Sequence, residues 1–261
     1  MKNLNSIDKI IYFLNGIFAV ILLLAYVLPF VPPKTFSLLS VLSLSVPVLL
    51  VFNALFCLYW LLKVKKQLLL SLIVLLLGYD SISTLYKFSS LEKSGASSLS
   101  VMSYNVRLFN LYDWISEPNV EKSIENFVFE EAPDVIAFQE LSGKKTKYGQ
   151  AIFSKYKIIN KGEIKFENTS NKAIYVDLLK DSDTIRVYNV HFQSMQINSD
   201  VKHLSEQNTE FLVKRIGDKF EMQQEQAETV LKHQKQCNYK KIILGDFNNT
   251  AYSYIYKQFK N

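Results

Sequence analysis

Polar residues of a particular kind stand where apolar runs stop. The run 99–104 (LSVMSY) ends at Asn105, and 134–138 (DVIAF) leads through Gln139 to Glu140. The run 184–190 (TIRVYNV) ends at His191, and 241–244 (KIIL) passes Gly245 into Asp246, Phe247 and Asn248. Each is a residue type able to bind a metal ion or a phosphate. Side chains at strand ends of a layered sheet can converge at one edge, where a rigid scaffold positions them. Singly, each has a plain structural reading. Asn105 can be a turn residue, Glu140 a solvated acid, His191 a hydrogen-bonded core histidine, and Asp246-Phe247-Asn248 an Asx turn. All of them together, in this order, make chance the weaker account.

The elements that must position these residues alternate strand and helix from residue 99 onward, which predicts an α/β domain. Val120, Ile124, Phe127 and Val128 recur at helical spacing, and Pro133 ends that helix. Short strands are expected at 150–154, 158–159, 164–166 and 173–179. The polar stretch 200–235 is helical in its second half through Ala227, Val230 and Leu231. His203 and His233 in that stretch read as solvated helix residues; Arg107, close after Asn105, is within reach of a phosphate, with a surface salt bridge the stronger reading.

Residues 1–87 differ in kind. Three apolar stretches, 10–31, 36–62 and 68–86, read as transmembrane helices, since about 20 residues cross the hydrocarbon core. The third carries Asp80, so it is either a shorter tilted span or one whose end meets the interface. An acid inside a membrane is a functional candidate, but near the outer end the plain interfacial reading is the stronger. Lys63, Lys65 and Lys66 lie between the second and third stretches, and only Lys34 lies between the first two. Placing that cluster in the cytoplasm puts the N-terminus inside and everything after the third helix outside, as a multi-pass membrane protein with an extracytoplasmic domain. The length of the first apolar stretch and the two after it argue against a cleaved signal peptide. Ser-rich residues 88–98 read as a linker to a domain over 99–261.

Composition excludes several classes. Of 261 residues, 49% are hydrophobic, so disorder and collagen-like repeats are ruled out. Two cysteines, Cys57 and Cys237, make neither a disulfide framework nor a zinc site. Of the net charge of +6, residues 1–87 hold +5, with seven lysines against Asp8 and Asp80. The remainder is near neutral and gives no electrostatic case for long nucleic acid. A transporter is disfavoured, because the apolar stretches hold no charge pair and no paired broken helices.

The segments VMSYNVRLFN (101–110), PDVIAFQE (133–140), GQAIFSKYKI (149–158), VYNVHFQS (187–194) and ILGDFNNT (243–250) resemble the endonuclease/exonuclease/phosphatase superfamily. That group holds the deoxyribonuclease-I-like and neutral-sphingomyelinase-like phosphodiesterases, and the likeness covers about residues 99–258. It implies a sandwich of two packed mixed β-sheets flanked by helices, and, with three spans ahead, a membrane-anchored bacterial branch. By position, Glu140 is implied to hold Mg²⁺ or Mn²⁺, with Asn105 beside it contacting metal or phosphate. His191 is implied to hydrogen-bond a phosphoryl oxygen or assist the leaving group. Asp246 would orient or deprotonate the attacking water, and Asn248 would contact the phosphate. The implied reaction is in-line attack of water on a phosphodiester, with the metal neutralising charge on the phosphoryl oxygens.

The family closes with Ser-Asp-His before a final strand, and no such triplet occurs here; the chain stops eleven residues after Thr250. The resemblance therefore leads one to expect a shortened chain that lacks part of the sandwich and one catalytic group. The leading expectation is a membrane-anchored, metal-dependent phosphodiester hydrolase whose partners are the bilayer and a nucleic acid or phospholipid headgroup, with no obligate protein partner. The alternative is a membrane protein whose family-like domain binds a ligand without turnover.

Overall fold

The computed structural model describes residues 4–86, 98–143, 146–195 and 209–260. Its helices are α1 (Ser6–Val27), α2 (Ser37–Ser40), α3 (Val46–Leu62), α4 (Leu68–Leu77), α5 (Tyr79–Leu85), α6 (Val120–Glu131), α7 (Thr209–Lys235) and α8 (Tyr254–Lys260). Its strands are β1 (Val101–Asn105), β2 (Val135–Gly143), β3 (Thr146–Ser154), β4 (Lys157–Lys165), β5 (Lys172–Lys180), β6 (Asp183–His191) and β7 (Lys240–Asp246). The chain divides into two compact units, one of Met1–Leu91, Met195–Gln224 and Asn249–Asn261, the other of Glu92–Ser194 and Glu225–Asn248. The linker read over 88–98, apart from Ser98, and His203 lie outside the described residues.

In the first unit, Asn5 caps α1 by accepting the Asp8 N–H at 2.7 Å. Two helical stretches, Ser6–Phe30 and Ser37–Leu62, are long and apolar enough to cross a membrane. The third apolar stretch is not one straight helix. It breaks into α4 and α5, bent by 73° at Gly78. The Tyr26 ring packs against that glycine so closely that any Cβ there would overlap it, and the Tyr26 hydroxyl donates to the Val74 carbonyl at 3.3 Å. Small and branched residues (Ala19, Leu22, Ala25, Leu49, Val74) form the unit's core. Large apolar side chains such as Phe13, Leu24, Leu55 and Ile73 face outward. So much exposed hydrocarbon suits a lipid environment and not water.

Two groups of buried polar side chains in this unit are paired, as low-dielectric surroundings favour, while among the described residues Asn53 Oδ1 and Trp60 Nε1 are buried without a hydrogen-bond partner. Asn15 and Ser71, both fully buried, exchange hydrogen bonds of 2.9 and 3.0 Å between α1 and α4. Asp8, near the start of α1, accepts from the Tyr59 hydroxyl at 2.6 Å and pairs with Lys63 at the end of α3.

The second unit is an α/β sandwich of two mixed sheets. One has the order β1-β2-β3, with β1 parallel and β3 antiparallel to β2. The other is β4-β5-β6-β7, antiparallel except for the parallel pair β6–β7. Val135, Val176, Leu178 and Val187 join Ile152 and Leu244 in one core cluster. Ile136 and Phe138 point the other way, onto Ile124 and Val128 of α6. Because β2 is covered on both faces, its residues 135–138 form an unbroken apolar run instead of an alternating one. The segments expected at 158–159 and 164–166 are one strand, β4. Its polar middle hides the continuity, and Gly162 leaves room for the Tyr175 ring, which would stand 2.6 Å from a Cβ there.

Candidate active site

Asn105, Glu140, His191, Asp246 and Asn248 meet at one end of the sandwich. Asn105 closes β1 and is the hub. Its Nδ2 donates to Glu140 Oε1 at 3.1 Å and to Asp246 Oδ2 at 2.9 Å, while its Oδ1 accepts the Arg107 N–H at 3.0 Å. One amide thus ties the two sheets together through their carboxylates.

Glu140 does not sit beyond the end of its strand, since β2 continues to Gly143. The register between β2 and β3 shifts between Phe138 and Leu141, and Glu140 takes φ +50°. Such a bulge re-aims a side chain locally. His191 and Asp246 are partners across the parallel β6–β7 pair, and His191 Nε2 stands 3.8 Å from Glu140 Oε1. Asp246 Oδ1 accepts the Asn248 N–H at 2.9 Å, which is the Asx-type turn, with Asn248 at φ +48°. Asn248 Nδ2 then donates to the Phe192 carbonyl at 3.0 Å.

Glu140 and His191 open onto a pocket of about 360 Å³, also lined by Leu108, Tyr112, Trp114, Gln150, Asn171 and Lys172. Strand-end reasoning missed all six. Asn171 precedes β5, and its Nδ2 donates to the carbonyls of His191 (3.1 Å) and Phe192 (3.0 Å), fixing the chain just past the histidine. The aromatic wall rests on an unusual turn, in which Arg107, Leu108, Phe109 and Asn110 all have φ between +42° and +63°. That conformation costs about 1–2 kcal/mol per non-glycine residue. Two local features hold it: Leu108 is buried, and Asn110 bonds the Ile115 backbone through both amide atoms, at 2.8 and 2.9 Å. Arg107 stacks on Trp114, its guanidinium carbon 4.5 Å from the ring centroid, in place of the salt bridge expected of it.

His233 is not a solvated helix residue. Its Nδ1 lies 3.0 Å from the Tyr188 hydroxyl and its ring 4.8 Å from that of Tyr175, on the sheet face that carries Tyr188. Burial there holds its pKa below the ordinary histidine value. Among the described residues His191 is the site's single histidine.

The donor set fits a hard cation in part. Glu140 offers a carboxylate that is one-third exposed at the pocket. Asn105 turns its N–H groups, not its oxygen, toward the two acids. Among the described residues no three His, Cys, Asp or Glu side chains group as a ready-made metal cage. Mg²⁺ does not need one, because it commonly keeps several waters and takes one or two protein carboxylates.

Comparison with known proteins separates the two parts of the chain. Residues 8–85 match a domain of unknown function (DUF8431). No curated protein matches the chain. Among solved structures, TDP2 from D. rerio humanized by 14 mutations is 16% identical with a TM-score of 0.44, covering 60% of this chain and 65% of that one. The beta hairpin deletion mutant of Staphylococcus aureus beta toxin is 19% identical (TM-score 0.45), covering 63% and 72%. A family protein from Leptotrichia buccalis is 14% identical (TM-score 0.40), covering 62% and 72%. The chain thus spans about two thirds of the length of such structures. Residues 102–261, well over half the chain, match the family model itself, and the protein belongs to the endonuclease/exonuclease/phosphatase family.

Proposed function

We propose that the protein is a membrane-anchored phosphodiester hydrolase that uses Mg²⁺ or Mn²⁺ and acts outside the cytoplasm. The observation that carries this reading is the Asn105 amide held between Glu140 and Asp246, with His191 beside both acids at an open pocket. Glu140 would hold the cation, which when bound supplies neutralisation of phosphoryl charge. Asp246 lacks the pocket-lining exposure of Glu140 and is oriented by Asn105 and the Asn248 N–H, as suits a group that positions or deprotonates water. His191 lines the pocket and would donate to a phosphoryl or leaving oxygen. Asn248 would steady the phosphate, while Asn105, whose two amide hydrogens go to the acids, would hold Glu140 and Asp246 in place.

Anchoring is supported by the two long apolar helices and their outward-facing side chains. The Lys63, Lys65 and Lys66 cluster supports a cytoplasmic position for the α3–α4 turn. A cytoplasm-only fluorescent reporter fused to the C-terminus should stay dark, and a bright fusion would reverse the topology. TDP2 from D. rerio has been solved with a single strand DNA product, so nucleic acid is one substrate class to test. A phospholipid headgroup is the other.

The test compares the full chain with Glu140→Gln and Asp246→Asn, assaying bis(p-nitrophenyl) phosphate hydrolysis and Mg²⁺ affinity by calorimetry. Glu140→Gln should weaken Mg²⁺ binding. Asp246→Asn should leave it near the wild-type value while removing turnover. Equal loss of Mg²⁺ binding in both variants would show the roles to be divided wrongly. The second reading is phosphoester binding without turnover, and Mg²⁺-dependent binding with no hydrolysis by the wild type would establish it.

A further inference from the structure

A cavity of about 370 Å³ lies in the first unit, where α1 runs out and α4 breaks into α5. Tyr26 and Phe30 form one wall, Asp80 another, and Tyr256, Lys257 and Lys260 of α8 the third. Its place along the helices is distinctive. Asp8 and Lys63 mark the opposite end of the helix pair, and the 22 residues of α1 separate the two ends by about 33 Å at 1.5 Å per residue. That is the thickness of a hydrocarbon core, so the cavity sits at a bilayer surface if α1 and α3 span. The tyrosines and Phe30 gathered there suit the headgroup level, where aromatic rings concentrate.

The charges decide what would fill it. The Lys257 ammonium lies over the Phe30 ring, 3.1 Å from its centroid. Among the described residues neither the Asp80 carboxylate nor the Lys260 ammonium has an ion-pair or hydrogen-bond partner; only the Asp80 backbone carbonyl is used, by Ser83 and Thr84. A cavity with unpaired groups of both signs complements a ligand with both signs. An anionic headgroup would satisfy the lysines and leave Asp80 facing a phosphate.

We propose that this cavity binds the phosphoethanolamine headgroup of a zwitterionic phospholipid, with Lys257 and Lys260 on the phosphate and Asp80 on the ammonium. The primary amine matters, because it gives Asp80 charge-assisted N–H donors. The site is separate from the Glu140 pocket and does not depend on the hydrolase reading. It rests instead on the spanning of α1 and α3, which carbonate extraction of the membrane fraction reads independently.

The experiment uses the full chain purified in detergent, offered phosphatidylethanolamine or phosphatidylglycerol, with retained lipid counted by native mass spectrometry. The wild type should retain phosphatidylethanolamine preferentially, by about tenfold, the effect of one charge-assisted contact. Asp80→Asn should abolish or invert that preference. Lys257→Ala with Lys260→Ala should lower retention of both lipids, and Lys65→Ala with Lys66→Ala, at the other end of the helices, should change neither. Displacement of bound lipid by soluble phosphoethanolamine would support recognition through the headgroup. Equal retention of the two lipids by the wild type, or a preference that survives Asp80→Asn, overturns the proposal. Binding of soluble phosphoethanolamine without retention of the lipid would overturn the bilayer as its source.

Discussion

Gly245→Ala is the sharpest single test of how the site is framed. Gly245 pairs with Val190 across β6–β7, one rung before the His191–Asp246 pair, and has φ +134°. A Cβ there would overlap the Val190 carbonyl oxygen and stand 2.6 Å from the Val190 nitrogen. Both are backbone atoms of a fully buried residue, so no side chain can swing aside. The two strands must part. The backbone conformation alone costs a non-glycine residue about 1–3 kcal/mol. Loss of one or two ladder hydrogen bonds adds about 1 kcal/mol each. The sum, about 2–5 kcal/mol, lowers Tm by roughly 4–20 °C for a domain of this size. The assay is thermal unfolding of the full chain in detergent, followed by near-ultraviolet circular dichroism. Gly16→Ala is the control: a Cβ at Gly16, on α1, meets nothing within 4 Å, and alanine should be neutral or stabilising there. Gly245→Ala melting within 2 °C of the wild type would refute the reasoning, since β7 would then be free to move without penalty.

Two further outcomes follow from contacts in the second unit. Arg186 binds Asp177 through Nε (2.6 Å) and a terminal nitrogen (2.7 Å), with both side chains largely buried. Arg186→Met should cost about 3 kcal/mol in chemical denaturation, because it strands a buried carboxylate. Burial raises the Asp177 pKa, but hydrogen bonds from Arg186 and Asn160 and the Arg186 charge lower it further, to below its unfolded value of 3.8. The pair's contribution is therefore complete above about pH 4 and is lost as pH falls through the lower folded value. An acid titration of stability should show that loss in the wild type and not in Arg186→Met. Trp114→Ala should raise KM for a nucleotide phosphodiester about tenfold with little change in kcat, within the 1–3 kcal/mol of one ring stacking contact. An unchanged KM would remove the aromatic wall from substrate binding.

How much of this was legible in the sequence follows from what is local. Strand ends are, because an apolar run yields to a polar residue at a definite position; Asn105, His191 and Asp246 are each the last residue of their strand. The two long apolar helices are legible for the same reason. The break at Gly78 is not, because the ring packed against that glycine, Tyr26, is 52 residues away in sequence. Asn171 and the Arg107–Asn110 turn escaped because neither alters hydrophobic periodicity. His233 escaped because its two tyrosine partners come from strands, and helical spacing records only neighbours three or four residues apart.

The least legible feature bears most directly on the site. Asn189, fully buried on β6, donates to the carbonyls of Phe138 (2.8 Å) and Ala151 (3.2 Å), where β2 and β3 leave register. Its Oδ1 accepts from Gln139 Nε2 at 2.7 Å, and Gln139 is itself buried. Each such group left unpaired between two apolar sheets would cost about 1–3 kcal/mol. The bulge that turns Glu140 toward the pocket is therefore satisfied from the opposite sheet, by a residue two positions before His191. Sliding the sheets by one residue would orphan Gln139 and Asn189 together and carry Glu140 away from His191. One buried amide pair thus fixes both the shape of β2 and the distance across the site, which makes an in-register sandwich and an assembled site the same structural event.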